Sequence, residues 1–346
     1  MIDIDGSQKS GSGTILRLSI ALAAILNQPL HIRNIRQNRP QPGLRPQHLE
    51  AVLTASKLCG ADLDGAKLGS RELWFKPKEV RGGRFEAEIG TAGSISMLLM
   101  TVLPICLFAK ETVHLRVSKG GTDVSNAPTI NYMRNVFLSM LRRMGVNASI
   151  TVHRYGYYPK GMGEVTLTVE PCKELQPICL ESLGEITTIK GVSVCTFLAE
   201  RRVAERQAKA AKDYLRKAGY EADIQIVNDM SNPLQKGSSL VLWAETSTGA
   251  IIGADAIGEL KKTSEAVGVE AAEKLYEDLR AKATVDVHMS DMLIPYVALA
   301  KGSSMYLVRK VSDHLETNIW LAEKLLGVKF NVKRIDGGLY KVEKVG

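Results

Sequence analysis

The sequence contains few aromatic residues, no ordered cysteine pattern and no long hydrophobic segment. Phe, Trp and Tyr make up 5% of the chain, which argues against a base-stacking platform built from aromatic side chains. None of the five cysteines is spaced as CxxC, so zinc binding is not indicated and a reducing compartment fits. The longest apolar segment, Ile95 to Ala109, contains Pro104 and is too short to span a bilayer. No basic segment of a signal peptide opens the chain, and we therefore expect a cytoplasmic protein that does not contact a membrane.

The composition is otherwise that of a folded protein with a basic surface. Of 346 residues, 45% are apolar and 24% are charged, which excludes a disordered or collagen-like chain. Lys and Arg number 45 against 37 Asp and Glu, and the net charge of +8 favours a polyanionic partner. The alternative is a solvated basic surface without such a partner. If nucleic acid binds, its phosphates should dominate the contacts.

A recurring order of elements divides the chain. Three times, a helix leads into a strand and a loop, and a second helix then ends at a glycine that two strands follow. The first helices are predicted at Thr14–Leu26, Ser94–Phe108 and Asp291–Ala300. The second helices are predicted at Gln47–Cys59, Asn131–Met144 and Leu315–Leu326, before Gly60, Gly145 and Gly327. We therefore predict three copies of one α/β unit, although α/β proteins alternate helices and strands by default.

A different segment separates the second copy from the third. From about Leu180 to Ala283 the pattern indicates a strand, a long helix, three strands and a further helix, which suffices for a small domain. We predict an α/β (α+β) fold with two domains. Residues 1–181 and 284–346 form the large domain with the three copies, and residues 182–283 form a smaller inserted α/β domain.

Two loops of the first copy are candidate phosphate-binding sites. The Gly- and Ser-rich segment Gly6–Thr14 leads into the helix that carries Arg17, and a helix N-terminus presents free N–H groups to an anion. The segment lacks P-loop spacing, and such loops are often only turns. Further along, Arg36, Arg39 and Arg45 share a loop stiffened by prolines, and their guanidinium groups suit phosphate. The alternative is an exposed basic loop.

Two histidines are candidates for chemistry. His288 and Asp291 lie three residues apart and share one helix face, an arrangement that is often an ordinary surface hydrogen bond. Asp313 and Glu316 match the spacing of a capping box, which places His314 in the first turn of a helix. The positive dipole end favours a neutral imidazole there, and a neutral imidazole is a potential nucleophile. From these residues alone, a structural histidine at a helix cap is the favoured alternative.

Short motifs follow one another in a fixed order along nearly the whole chain. They are Ile4-Asp-Gly-Ser7, Ile15-Leu-Arg17, Asn34-Ile-Arg36 with Arg39, Pro42-Gly-Leu-Arg-Pro-Gln-His-Leu49, Gly90-Thr-Ala-Gly-Ser94, Gly120-Gly-Thr-Asp123, Gly156-Tyr-Tyr-Pro-Lys-Gly161, Ala244-Glu-Thr-Ser-Thr-Gly249, Thr284-Val-Asp286, and His314 with Thr317. Together they resemble the motifs of the RNA 3′-terminal phosphate cyclases. The resemblance implies a core of three repeated βαβαββ-like units with one inserted α/β domain, in agreement with the repeats described above.

The resemblance also implies an ATP-dependent activity on RNA that carries a 3′-terminal phosphate. In this family a histidine attacks the α-phosphate of ATP, and the histidine–AMP adduct transfers AMP to the RNA 3′-phosphate. The neighbouring 2′-hydroxyl then closes a 2′,3′-cyclic phosphate and expels AMP. His314 matches the histidine, and a divalent metal (Mg or Mn) is implied beside ATP. The residues that match nucleotide- or phosphate-binding positions are Arg17, Arg36, Arg39, Gln47, Met100, His288, Met289, Ser290, Asp291 and Met292.

The chain departs from the family pattern at several positions. Ser10 stands where the family has a carboxylate that would help to hold metal, Thr14 where it has glutamine, and Met100 where a glutamine contacts the nucleotide. Asn131 replaces an aspartate, and Met292 replaces a glutamine. These changes leave open a catalytically impaired or retuned paralogue that binds RNA in RNA processing, or a nucleotidyl-transfer enzyme for another phosphate-ended substrate. We favour the active cyclase, because the histidine and three arginines are retained.

Overall fold

The computed structural model describes residues 1–345. The helices are α1 (Gly13–Leu26), α2 (Pro46–Cys59), α3 (Ile95–Cys106), α4 (Ile130–Tyr132), α5 (Leu138–Arg143), α6 (Val203–Lys217), α7 (Ser264–Arg280), α8 (Val287–Met292), α9 (Ile294–Leu299) and α10 (Asp313–Leu326). The strands are β1 (Ile2–Asp5), β2 (Leu30–Arg33), β3 (Asp62–Asp64), β4 (Leu73–Lys76), β5 (Gly83–Glu88), β6 (Val113–Gly120), β7 (Ala148–Arg154), β8 (Gly163–Val169), β9 (Ile186–Thr196), β10 (Asp223–Asp229), β11 (Gly237–Thr246), β12 (Ile251–Ile257), β13 (Ser304–Val308), β14 (Lys329–Arg334) and β15 (Tyr340–Val345). In this part of the chain, no helix combines the length and the apolar character needed to cross a membrane.

Two sheets share one topology and a third shares its antiparallel part, which confirms the predicted mixed α/β fold with repeated units. In the first, β1 pairs parallel with β2, and β4 pairs antiparallel with both β2 and β3, so the order is β1-β2-β4-β3. The second has the same pairings in the order β5-β6-β8-β7. The third, β13-β15-β14, repeats the antiparallel part. Where a first strand would lie, the amide groups of Thr284 and Val285 donate to the carbonyl oxygen of Leu307.

The fourth sheet lies in the segment between the second and third copies. Its order is β10-β9-β11-β12, and α6 and α7 pack against it. The carboxylate of Asp286 joins this sheet to the repeats, since it accepts hydrogen bonds from the amide of Gly253 (3.0 Å) and the hydroxyl of Tyr132 (2.9 Å). Strands β9 to β12 and helices α6 and α7 all fall within residues 182–283, and the exact domain boundaries stay a prediction.

Helix α1 positions the candidate site. Apolar residues such as Ile15, Ile20 and Leu22 occupy its successive faces and are fully buried, and each contributes about 1.5–3 kcal/mol on burial. The helix is therefore covered on most sides and packs against α2, α3 and α10. This packing brings the first turn of α1 next to the first turn of α10, so that Thr14 contacts His314 across 300 residues of sequence.

One predicted helix of the third copy is wrong. The segment predicted as a single helix, Asp291–Ala300, forms parts of α8 and α9, which are separated at Leu293. Pro295 lies in the first turn of α9 and has no amide hydrogen with which to continue the hydrogen bonds of α8. Helix α8 also begins earlier than predicted, because the side chain of Asp286 caps it by accepting from the amides of His288 and Met289.

Two further helices differ from the prediction. The N-cap of α10 is Ser312, whose hydroxyl accepts from the amide of Leu315 (3.0 Å), so the predicted capping box of Asp313 and Glu316 is wrong. His314 nevertheless lies in the first turn, as predicted. The predicted helix Asn131–Met144 is formed as α4 and α5 with a π-helical turn, Met133–Phe137, between them.

Candidate active site

The N-termini of α1 and α10 meet and form the centre of the candidate site. Ser12 caps α1 through a hydrogen bond from the amide of Thr14 to its hydroxyl (3.3 Å), and Ser312 caps α10. The loop before α1 is bound to α10 as well, because the amide of Ser10 donates to Oγ1 of Thr317 (3.2 Å). Two positive helix ends therefore lie together, which favours an anion in this region.

His314 is the second residue of α10 and is held by the first turn of α1. Its Nδ1 lies 3.1 Å from Oγ1 of Thr14, and a guanidinium nitrogen of Arg17 donates to the same oxygen over 3.2 Å. Within residues 1–345, no hydrogen-bond partner faces Nε2 of His314. Partial burial of the ring and the charges of Arg17 and Arg39 lower the pKa of His314, although Asp313 opposes this shift. The imidazole is therefore neutral at pH 7 and presents Nε2 to its surroundings.

Three arginines predicted at the site differ in their surroundings. Burial lowers the pKa of Arg17 to about 10, which still leaves it charged at pH 7. Arg36 donates to two carbonyl oxygens of its own loop, over 2.7 and 2.8 Å, and so keeps that loop closed. Arg39 is exposed, and its charge lowers the pKa values of both Arg36 and His314. Arg17 and Arg39 therefore create a positive potential at the imidazole, and Arg36 adds to the positive charge near Arg17, as phosphate binding requires.

A cavity of about 580 Å³ opens beside the histidine. This volume falls in the range of small-molecule binding sites. All three copies and the inserted segment contribute to its wall. The apolar part of the wall includes Leu18, Met97, Met100, Phe137, Met292 and Pro295. The cavity thus combines apolar surface for a flat ring system with cationic groups for phosphate.

The structure brings together about half of the residues predicted at the site. Those that line the cavity are Arg17, Met100, His288, Asp291, Met292 and His314. Those that do not line it are Arg36, Arg39, Gln47, Met289 and Ser290. Met289 is fully buried in the core, and the hydroxyl of Ser290 donates to the carbonyl oxygen of Val287, so both residues stabilise α8. Gln47 links α2 to the start of α3, because its Oε1 accepts from the amide of Ser94 (2.7 Å).

Asp291 connects α8 to α10 beside the cavity. Its backbone carbonyl oxygen accepts from the side-chain amide of Asn318 (2.8 Å), and its carboxyl group lies 3.5 Å from the hydroxyl of Ser312. Burial and the charge of Asp286 raise the pKa of Asp291 to about 8, although Arg17 opposes the shift. The carboxyl group is therefore mainly protonated at pH 7 and does not repel a phosphate group there.

His48 belongs to this site and was not singled out from the sequence. It is 5% exposed and lies beside the first turn of α1, where a Cβ atom on Gly13 would come within 2.3 Å of its Nε2. Burial and the charges of Arg17, Arg36 and Arg45 lower the pKa of His48 to about 2, so the ring stays neutral. Its motif carried the family resemblance, but a lone histidine in a sequence gives no sign of being buried among arginines.

The inserted segment supplies a polar wall that the sequence analysis also missed. Glu270 on α7 forms ion pairs with Lys262 and with Lys274 (2.7 Å for Lys274), and all three residues line the cavity. Ser125 of the second copy donates to Glu259 (2.9 Å) at the same wall. No local pattern could have indicated these residues, because only tertiary packing brings them to the cavity.

The residues present do not form a binding site for a resident divalent metal. Within residues 1–345, no group of three or more His, Cys, Asp or Glu side chains is arranged to hold a metal ion. At the position where the family pattern has a carboxylate, the hydroxyl of Ser10 is hydrogen-bonded to that of Ser12 (2.9 Å). The carboxyl group of Asp291 is mainly protonated at pH 7, and a hard cation prefers ionised oxygen ligands.

The departures from the family pattern do not all face the cavity. Met100 and Met292 line it, and they present thioether groups where amides would make directional hydrogen bonds. Asn131 is buried outside the cavity wall, where its side-chain amide donates to the hydroxyl of Tyr155 (3.2 Å). The altered residues therefore affect nucleotide contacts at two positions and an internal hydrogen bond at a third.

The chain is similar to proteins of one family over nearly its whole length. A family model described as RNA 3′-terminal phosphate cyclase matches residues 8–332. A protein of that name from Pyrobaculum aerophilum is 45% identical over 347 residues, which cover 100% of this chain and 98% of that protein. Another from Pyrococcus furiosus is 45% identical over 333 residues (96% and 95% of the two chains), and one from Methanopyrus kandleri is 42% identical over 347 residues (99% and 98%).

Proposed function

The chain belongs to the RNA 3′-terminal phosphate cyclase family, and on that premise we propose that it uses ATP to convert the 3′-terminal phosphate of RNA to a 2′,3′-cyclic phosphate. His314 is the nucleophile that carries AMP in this proposal. The supporting observation is its position at the junction of two helix N-termini, where its imidazole is neutral and Nε2 is free beside a cavity of about 580 Å³.

In the first step, Nε2 of His314 attacks the α-phosphorus of ATP. The nitrogen–phosphorus bond forms as the bond from that phosphorus to the bridging oxygen breaks, and pyrophosphate leaves with the electron pair. The imidazole becomes cationic and keeps a proton on Nδ1. Arg17 and the two helix ends stabilise the negative charge that develops on the phosphoryl oxygens.

In the second step, an oxygen of the RNA 3′-phosphate attacks the phosphorus of histidine–AMP. The nitrogen–phosphorus bond breaks, His314 regains its free Nε2, and the RNA carries AMP on its 3′-phosphate. The adjacent 2′-hydroxyl then attacks the 3′-phosphorus, loses its proton, closes a five-membered ring and expels AMP. The covalent adduct divides one difficult reaction into easier steps.

We assign direct nucleotide contacts to the matching residues that line the cavity. These are Arg17, Met100, His288, Asp291 and Met292. Arg36 and Arg39 act through their charge, and Gln47, Met289 and Ser290 support the helices that carry the others.

A divalent metal (Mg or Mn) would arrive bound to the triphosphate, and we derive no step through it because the donor set around Ser10 does not fit one. Residues 182–283 form the inserted domain, and residues 1–181 with 284–346 form the catalytic domain.

A labelling experiment tests this proposal. Incubation with ATP labelled in its α-phosphate should transfer label to the protein, and His314→Ala should abolish the transfer. His153→Ala is the matched control, because His153 is an exposed strand residue that contacts Thr166 outside the cavity. Label that survives in the His314 variant, or that is absent from the unmodified protein, contradicts the proposal.

The second candidate is an impaired or retuned paralogue that binds RNA without cyclising it. Ser10 favours it, since the hydroxyl cannot replace an ionised carboxylate. Turnover should therefore be measured with RNA that ends in a 3′-phosphate, a 3′-hydroxyl or a 5′-phosphate. Cyclisation of only the 3′-phosphate supports the cyclase, whereas salt-sensitive RNA binding without adenylation supports the paralogue.

A further inference from the structure

We propose that Thr14 is a positioning residue that holds the imidazole of His314 in its reactive tautomer, with the proton on Nδ1. The inference deepens the proposed function and rests on His314 as the nucleophile. It concerns this chain in particular, because Thr14 occupies a position where the family pattern has glutamine.

The orientation of the ring identifies the nitrogen that can attack. Nδ1 of His314 faces α1 and lies 3.1 Å from Oγ1 of Thr14, whereas Nε2, at the other side of the ring, has no hydrogen-bond partner among residues 1–345, and His314 lines the cavity. A ring nitrogen that carries a proton has no lone pair available for attack. Attack through Nε2 therefore requires the proton to be on Nδ1.

The hydroxyl of Thr14 is the only group observed to pair with this Nδ1 within residues 1–345, and it is held in place from its other side. Arg17 donates to Oγ1 over 3.2 Å, and a guanidinium group donates but never accepts. The oxygen therefore uses one lone pair for Arg17 and has a second for an N–H on Nδ1.

The hydrogen bond between Nδ1 of His314 and Oγ1 of Thr14 becomes stronger as the reaction proceeds. When Nε2 bonds to the α-phosphorus, the ring becomes cationic and its N–H at Nδ1 becomes a stronger donor. Thr14 accepts that hydrogen bond without carrying a charge of its own. The opposite arrangement, in which Thr14 donates to Nδ1, would leave the proton on Nε2 and block the attack.

Two substitutions separate this role from simple packing. Thr14→Val keeps the shape and removes the oxygen, and we expect adenylation to slow by about 10- to 100-fold, as for other partners of a functional imidazole, with little change in KM for ATP. Thr14→Ser should restore most of the rate. Thr246→Val is the matched control and should leave the rate unchanged, since Thr246 is as buried as Thr14 but its hydroxyl donates to the carbonyl oxygen of Ala250, outside the cavity wall.

A spectroscopic measurement tests the tautomer without requiring turnover. In nitrogen-15 NMR of the full chain with α,β-methylene ATP, the signals of His314 should report the proton on Nδ1, and Thr14→Val should shift the population toward the form protonated on Nε2. An unchanged tautomer in Thr14→Val overturns the inference, as does a serine variant as slow as the valine variant. If His314→Ala still becomes labelled, the proposed nucleophile fails, while the tautomer measurement independently decides the role of Thr14.

Discussion

The close approach of His48 to Gly13 makes a substitution at this glycine a sensitive test of the site. A Cβ atom at Gly13 would lie 2.3 Å from Nε2 of His48 and 3.0 Å from Nη1 of Arg17. Ordinary contacts begin near 3.4 Å, so Gly13→Ala requires the imidazole to move by about 1.1 Å and the guanidinium group by about 0.4 Å. His48 is 5% exposed and has little room for this shift.

Two opposing contributions determine how far Gly13→Ala changes the free energy of unfolding. Overpacking of a buried site costs about 1–3 kcal/mol, and alanine in place of glycine in a helix returns at most about 1 kcal/mol. We therefore expect a net loss of about 1–2 kcal/mol in the free energy of unfolding. Displacement by about 0.4 Å of Arg17, which holds Thr14 and thereby His314, should slow adenylation by up to about 10-fold, since an error of about 1 Å in a catalytic arrangement costs about 100-fold.

A double-mutant cycle provides the assay. Denaturant unfolding and the rate of labelling by ATP are measured for Gly13→Ala, His48→Ala and the double variant. Because His48→Ala removes the obstructing ring, the effect of Gly13→Ala on stability should largely disappear in that background. A cost of equal size in both backgrounds, or an alanine variant as stable and active as the unmodified protein, would refute the reasoning.

Three further predictions follow from the charged groups. Ser10→Glu should tighten Mn²⁺ binding in the presence of α,β-methylene ATP, measured by isothermal titration calorimetry, because an ionised carboxylate adds an oxygen ligand beside the bound triphosphate. Burial raises the pKa of Asp291 to about 8, so the folded protein holds a proton that the unfolded chain releases near pH 4. Its contribution to stability therefore declines from about pH 4 to about pH 8, and Asp291→Asn should lack this decline in denaturant unfolding. Burial lowers the pKa of His31, but Glu72 and Asp3 outweigh it and raise the value above 6.5. The stabilisation is complete below about pH 6.5 and is lost as pH rises through the raised pKa, so His31→Phe should be less stable than the unmodified protein at pH 6 and differ less at pH 9.

Each of these predictions has a distinct contradicting result. For Ser10→Glu, it is Mn²⁺ binding no tighter than that of the unmodified protein, or equal tightening by the uncharged control Ser10→Gln. For Asp291→Asn, it is a pH profile of unfolding parallel to that of the unmodified protein. For His31→Phe, it is a difference in stability that does not change between pH 6 and pH 9.

The arrangement also suggests how the site operates without the family's carboxylate in the first loop. Arg17 and Arg39 lower the pKa of a neutral histidine, Arg36 acts on Arg17, and Asp291 is mainly protonated at pH 7, so the region is positive before any substrate binds. Such a site attracts triphosphate through side-chain charges and helix ends. The loss of a carboxylate at Ser10 increases this positive potential and reduces the means of holding a cation.

The sequence alone predicted the repeated architecture well, because each copy carries its own local signals. The glycines that end α2 and α10, Gly60 and Gly327, adopt positive φ angles of 59° and 70°, which glycine tolerates without strain. The split at Pro295 was missed, although proline was a visible signal. The N-cap of α10 was placed one residue late, since both Ser312 and Asp313 are suitable capping residues.

The motifs and retained residues by themselves determined the family, the repeats, and the choice of His314, Arg17 and Asp291 as members of one site. They could not determine which residues face the cavity, because a motif specifies order along the chain and not direction in space. Only tertiary packing decided that Gln47, Met289 and Ser290 support helices, and it alone brought His48 beside Gly13. The physical reason is that burial and the field of neighbouring charges arise between elements distant in sequence, and these set both the protonation state and the exposed nitrogen of the histidine.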